Sequence, residues 1–252
     1  SLVAADSAYQ CLQLGRCPEA LVCGAHISLS PGLWVGCCAM HALSPEGRCK
    51  TFDVSADGFG IGDGVNAVVI RRGACSDSRM RLVNCGVNQD GRSASLTAPN
   101  GPAQAQLLKS AGSAGRSSSE THGTGTALGD PIEVSALCSV LQTSVQRPLP
   151  LGTSKSHLGH TLTAAGLMGV LKAMLSSAHA IIAPNMWLAR LNPKLDLDDC
   201  AVMMASTIVG IQAAGASGPL KQTDLVAHGV GVSSFGMSGI NSHVAVSYTH
   251  LR

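Results

Sequence analysis

Two histidines stand in glycine-rich bends that follow strand-like runs: His122 in THGTGTALGD and His160 in LGTSKSHLGHTLTAAG. A bend at the end of a strand is where α/β folds keep reactive groups. Neutral imidazoles donate N–H hydrogen bonds to an oxygen that becomes negative during a reaction, and glycine neighbours let a bulky substrate come close. The pair reads as an oxyanion or enolate site. Lys155, five residues before His160, adds a positive charge that can bias protonation of the second imidazole or orient it. The hydroxyls of Thr124 and Thr126 are expected at the same entrance.

Other candidates carry less. His26, His41, His179, His228 and His250 read as ordinary polar residues. His157 and His160 share a spacing that suits metal ligands, but no nearby carboxylate or cysteine completes a set, so no metal is expected. GFGIGDG (58–64) imitates a phosphate-binding loop, yet it precedes an apolar strand instead of opening a helix, and it is expected to be a turn. Met168, Met174, Met203 and Met204 are assigned to core filling.

Positioning such a site takes a real core. The chain has 252 residues, 45% of them hydrophobic, enough for one large domain or two modest ones. Charged residues are 13% and the net charge is +2, which leaves no basic surface for nucleic acid. The 29 glycines against 3% aromatics favour an α/β fold packed through small side chains. Ten cysteines, spread from Cys11 to Cys200 without a C-x-x-C pair, are read as free buried thiols. With no signal-peptide pattern and no run of eighteen apolar residues, a cytoplasmic protein without a membrane span is expected.

Leu2 to Leu14 reads as a mostly buried helix closed by Gly15. ALVCGAHI (20–27) and VNAVVIRR (65–72) have the β-branched pattern of interior strands. A helix is expected from Pro131, with Asp130 as cap and Glu133 reaching back to complete a capping box. Leu162 to Leu175 has apolar or small residues on every side and predicts a helix buried between layers. VAHGVGVSS and HVAVSY predict two strands joined by the tight loop FGMSGIN. SAGSAGRSSSE (110–120) lacks any period and is expected to be a loop.

Taken in order, HGTGTALGDPIEVSAL, GTSKSHLGHTLTAAGLMGVLKA and GVSSFGMSGINSHV closely resemble three C-terminal motifs of β-ketoacyl synthase domains, above all those of modular type I polyketide synthases. SPEGRCKTFDVSADGFGIGDG and VNQDGRSASLTAPNGPAQ resemble the segments between them. The resemblance implies a thiolase-like layered α/β fold, with residues 1–75 closing the N-terminal half and 76–252 forming the C-terminal half. It implies decarboxylative Claisen condensation of acyl groups carried on the phosphopantetheine of an acyl carrier protein, with no cofactor held by the domain itself. His122 and His160 match the two active-site histidines and Lys155 the motif lysine. Thr124 and Thr126 match threonines that contact the pantetheine arm, while Phe235, Met237 and Asn241 fall in the mobile loop that shapes the acyl pocket. Neighbouring synthase domains and a homodimer are implied by the family alone.

The chain departs from the pattern at its start. The nucleophilic cysteine of such domains lies just before a stretch like SLVA, where this sequence opens, so 1–252 alone is expected to be inactive. RSSSET, before His122, is short and polar where the family has an apolar strand. Three rival readings are a non-condensing scaffold without the nucleophile, a thiolase, for which FGMSGIN lacks the needed cysteine, and a non-functional remnant.

Overall fold

The computed structural model describes residues 1–73, 78, 80–93, 95, 98–112, 116–141, 148–198, 200–210 and 229–248. The opening apolar run forms helix α1 (Leu2–Gln13), and the chain leaves it through Gly15 at a φ of 68°, where a side chain would be strained. Strands β1 (Glu19–His26) and β2 (Gly64–Arg71) pair antiparallel, with helix α2 (Gly32–Ala39) between them in sequence. Expected as interior strands, they form an outer two-stranded sheet. Val22 packs inward on Ala5 and Leu167, whereas Leu21, Val65 and Val69 are more than half exposed. The β-branched run reported a strand but not its depth.

The main sheet is mixed and six-stranded: β3 (Met80–Gln89), β4 (Arg116–Glu120), β5 (Leu149–Gly152), β7 (Val202–Met204), β9 (Gly229–Phe235) and β10 (Ile240–Tyr248) lie in the order β3-β10-β9-β4-β5-β7. β10 runs antiparallel to β3 and β9, while β4 is parallel to both β9 and β5. A short pair, β6 (Ile181–Ile182) with β8 (Val209–Gly210), stands apart. The hairpin expected near the C-terminal end is present as β9 and β10, turning at 236–239, although 226–228 of the expected first strand lie outside the described residues.

The polar segment 110–120 departs most from expectation. Ser110 ends helix α3 (Gly101–Ser110), and Arg116–Glu120 is a central strand of the sheet. Ser117 and Ser119 turn their hydroxyls to the carbonyls of Gly229 and Gly231 on β9, at 3.4 and 3.5 Å. Serines can therefore line an interior strand without orphaned hydroxyls, and the support for His122 is in place.

Helices α1 and α6 (Ala165–His179) separate the outer sheet from the main one. Leu167 of α6 faces Val22, and Ala173 faces Val230 and Val232. Gly169 lies so close to the sheet that a Cβ there would come within 2.9 Å of Val232. The expected burial on every side is only partly met: Ala165, Gly166, Leu167, Gly169, Ala173 and Ser177 are buried, the other side is partly open, and Leu175 is more than half exposed. On the opposite face of the sheet α3 and α4 (Gly129–Cys138) cover a second core of Phe52, Leu108, Val134, Leu137, Leu149 and Leu151.

The cysteine reading is corrected. Cys138, at the end of α4, forms a disulfide with Cys200 just before β7, and Cys23 and Cys38 are exposed. A pairing across 62 residues leaves no local pattern to read.

Candidate active site

β4 and β5 are parallel neighbours, Glu120 opposite Gly152, so their C-terminal ends open at the same edge of the sheet. His122 lies two residues beyond the end of β4. After β5 the chain runs through Thr153 and the short helix α5 (Lys155–Leu158) to His160. Glu120 ties the two exits together, accepting from the Ser154 N–H and pairing with Lys172 of α6 at 2.8 Å. The imidazoles meet edge to face, ring centres 5.4 Å apart.

His160 is clamped from the far side by GFGIGDG. Its N–H donates to the Gly60 carbonyl at 2.6 Å, and its carbonyl accepts from Gly62 at 3.1 Å. The glycines are there for close approach, since a Cβ on Gly60 would lie 2.1 Å from the Gly47 carbonyl and one on Gly62 2.1 Å from that of Leu158. This segment is an extended clamp and not the expected turn. Leu162 donates its backbone N–H to His160 Nδ1 at 3.1 Å. Nδ1 is thus an acceptor, which places the ring proton on Nε2.

The expected capping box is also corrected. Helix α4 begins at Gly129, and neither Asp130 nor Glu133 caps it. Both carboxylates hold the loop before the helix. Glu133 accepts from the N–H groups of His122 and Gly123 at 2.7 and 2.9 Å, and Asp130 accepts from Gly125 at 3.1 Å and Phe52 at 2.9 Å. The S/T/D-x-x-E pattern reads only the first turn of a helix, whereas these partners lie 5 to 11 residues back in the loop and, for Phe52, across the fold. Burial pushes the Asp130 carboxyl up to about 6 and raises that of Glu133.

Burial holds both imidazoles, His122 and His160, well below 6.5, and the charge of Lys155 pushes each further down. Lys155 is itself buried, its pKa lowered by desolvation against the pull of Glu120 and Glu133. Both rings are therefore neutral N–H donors near pH 7. Among the described residues His122 Nδ1 has no hydrogen-bond partner.

The two rings face a cavity of about 1010 Å³ that all the expected substrate contacts line. Thr124 and Thr126 bring their hydroxyls within 3.2 Å of each other, and Thr126 also accepts from Gly129 at 3.1 Å. The Phe235 ring lies 5.8 Å from that of His122, and Met237 is half exposed at the 236–239 turn. Asn241 is not a loop residue: it pairs with Phe235 across β10 and β9 and is buried. Phe59, whose ring stands 5.0 Å from that of His160, was missed because its neighbourhood was read as a turn.

Residues 1–74 match the family model of the β-ketoacyl synthase N-terminal domain, and residues 80–188 that of the C-terminal domain. Over 97% of its length the chain is 38% identical to polyketide synthase GfsA of Streptomyces halstedii. Over 98% it is 40% identical to one of the subunits of the phenolphthiocerol/phthiocerol polyketide synthase of Mycobacterium tuberculosis. Those matches cover 3% and 13% of the relatives. The ketosynthase from module 6 of the bacillaene synthase of Bacillus subtilis superposes on 99% of the chain with a TM-score of 0.87 at 31% identity. The oxazolomycin ketosynthase domain OzmH KS7 of Streptomyces albus covers 100% with a TM-score of 0.90 at 28% identity. The chain spans 46% of each of these two structures. It belongs to the β-ketoacyl synthase family, as a thiolase-like ketosynthase domain sequence of the modular polyketide synthase type. Among the described residues no helix is long and apolar enough to cross a membrane.

Proposed function

We propose that this chain carries the histidine half of a condensing ketosynthase, which joins an acyl thioester to a malonyl-type extender held on an acyl carrier protein. The supporting observation is the pair of neutral imidazoles in edge contact, 5.4 Å apart, on one cavity. In this reading the acyl group first passes to a cysteine thiol and the pantetheine thiol leaves. That thiol is the nucleophilic cysteine that the family resemblance implies. Ser1 and Leu2, at the head of α1, already line the cavity, and a helix N-terminus favours a thiolate. The extender then loses carbon dioxide as the bond to its carboxylate breaks, and the electron pair becomes an enolate. His160 Nε2–H and the N–H of His122 donate to the enolate and thioester oxygens. The enolate carbon attacks the acyl carbonyl, forms the new C–C bond and expels the cysteine thiolate.

Lys155 adds to the burial that keeps the imidazoles unprotonated, Thr124 and Thr126 hold the pantetheine arm, and Phe235, Met237 and Asn241 shape the acyl wall. Residues 1–75 close the N-terminal half of the domain and 76–252 form its C-terminal half. The relatives are multidomain synthases, which supports neighbouring catalytic domains. A cytoplasmic homodimer served by a carrier protein completes the proposal, and residues 1–252 alone are inactive in it.

His122→Ala and His160→Ala, each in the full-length synthase, should lower condensation by about 10²–10³ in rate, because each removes one preorganised donor. Product formation is followed by mass spectrometry of the carrier protein. Turnover at the wild-type rate in either variant would refute the assignment.

A further inference from the structure

Helix α4 holds the site at one end and is pinned at the other. Near its start, Asp130 and Glu133 hold the loop that carries His122, through the N–H groups of His122, Gly123 and Gly125. Its last residue, Cys138, is bonded to Cys200. At 1.5 Å per residue, about 12 Å of helix separates Asp130 from that bond.

The far side of the bond leads to the other imidazole. Ala201, next to Cys200, accepts from the Leu149 N–H at 2.9 Å, and β7, which follows, pairs with β5. β5 is the strand whose exit leads to His160. Val134 and Leu137 of α4 share a core with Leu149 and Leu151 of β5, and Cys138 packs against it. The disulfide is therefore a brace between the elements that present the two histidines, placed at the opposite end of the strands from the site.

Two observations mark the brace as one that opens. Among the described residues seven cysteines are free, and Cys23 and Cys38 are exposed, so the bridge stands among unpaired thiols. In a cytoplasmic protein, as proposed above, a disulfide is usually transient or redox-sensing. Cys138 is also partly exposed at a helix end, whereas Cys200 is buried, so an incoming thiolate has one sulfur within reach.

We propose that Cys138–Cys200 is a thiol–disulfide switch: formed, it holds α4 and the His122 loop in the geometry described, and opened by a dithiol it loosens that loop and lowers turnover. The dithiol's thiolate attacks Cys138 Sγ, Cys200 leaves as a thiolate and takes a proton, and the second thiol then displaces Cys138. The bridge gains two electrons and two protons, and the dithiol becomes a disulfide. A disulfide oxidant reverses both steps. The effect on turnover rests on the ketosynthase reading; the effect on the loop does not.

Full-length synthase is equilibrated over a series of ratios of reduced to oxidised dithiothreitol. Alkylation and mass spectrometry read the fraction of Cys138–Cys200 bonds, hydrogen exchange reads the amides of residues 122–125, and carrier-protein mass spectrometry reads kcat. As the bond opens, exchange at 122–125 should rise about tenfold and kcat should fall about tenfold, while the β9–β10 amides keep their rate. Oxidation of a reactive thiol would move kcat the other way, so the sign separates the two. Cys138→Ala/Cys200→Ala should show the fast exchange and the low kcat at every ratio. If that variant does not fold, the wild-type titration decides alone. Unchanged exchange at 122–125 overturns the proposal, as does equal acceleration throughout the C-terminal half, a kcat indifferent to the bond, or a bond that no ratio opens in the folded protein. No turnover at any ratio, with exchange that follows the bond, would sink the condensing reading and support the switch.

Discussion

The carboxylate of Glu133 sits 2.7 Å from the backbone N–H of His122 and holds that histidine by its main chain. Its second oxygen takes the N–H of Gly123 at 2.9 Å, so one side chain satisfies two donors of the loop. Glu133→Gln keeps one acceptor and turns an NH₂ toward the other N–H. The expected result is a fall in kcat of about tenfold to a hundredfold, some 1.4–2.7 kcal/mol, with KM changed far less. Steady-state condensation kinetics check this, and an equal change in both parameters would place Glu133 in substrate binding instead.

Gly125 has a φ of 78°, and a Cβ there would stand 2.7 Å from the backbone nitrogen of Lys50. Gly47 has a similar φ of 65° with nothing in the way of a Cβ. Gly47→Ala should cost about 1–2 kcal/mol for the left-handed backbone alone. Gly125→Ala should cost at least about 2 kcal/mol more, because backbone must move. Urea denaturation of both variants decides it, and equal losses would mean that the Gly125 contact is soft.

His243 lies buried on β10 beside Ser233, and burial, reinforced by Arg116, holds its pKa well below 6.5. The unfolded chain then takes up this proton first as pH falls, so stability is full above about 6.5 and declines below it. Asp130 and Glu133, with raised values, act in the opposite sense, which makes a difference measurement the clean one. Between pH 7.5 and 5.5 the wild-type protein should lose about 1.4 kcal/mol more than His243→Asn does. Parallel pH profiles for the two proteins would show that His243 is protonated equally in both states.

The Cys138–Cys200 bond closes a loop across 62 residues. On chain-entropy grounds its loss costs about 4 kcal/mol at 25 °C. Cys138→Ala/Cys200→Ala should therefore unfold at clearly lower denaturant than the oxidised wild-type protein, and a dithiol reductant should bring the wild type to the same midpoint. A midpoint that ignores the reductant would show that the bridge carries no such load.

What the sequence disclosed followed the range of each interaction. The β9–β10 hairpin was legible because alternation and a tight glycine turn are local, and so were His122 and His160, each in a glycine-framed bend. β4 was not, because its serines become strand residues only when β9 supplies carbonyls from more than a hundred residues away. Asp130 and Glu133 were seen as helix-capping residues, yet Asp130 serves Phe52 across 78 positions and Glu133 serves His122 across 11. The exposed outer sheet of β1 and β2 escaped for a related reason, since apolar composition does not say which neighbours are present.

The pairing of β4 with β5 has one more implication. His122 comes shortly after β4, its N–H held by Glu133, while His160 is reached through helix α5 and clamped by the backbone of Gly60 and Gly62, and the two imidazoles are separated by 5.4 Å. Their separation is therefore held through hydrogen-bonded backbone and does not depend on how Met237 is chosen. In the proposed condensing role, diversifying that wall position offers a route to altered chain tolerance with the geometry of the two imidazoles kept constant.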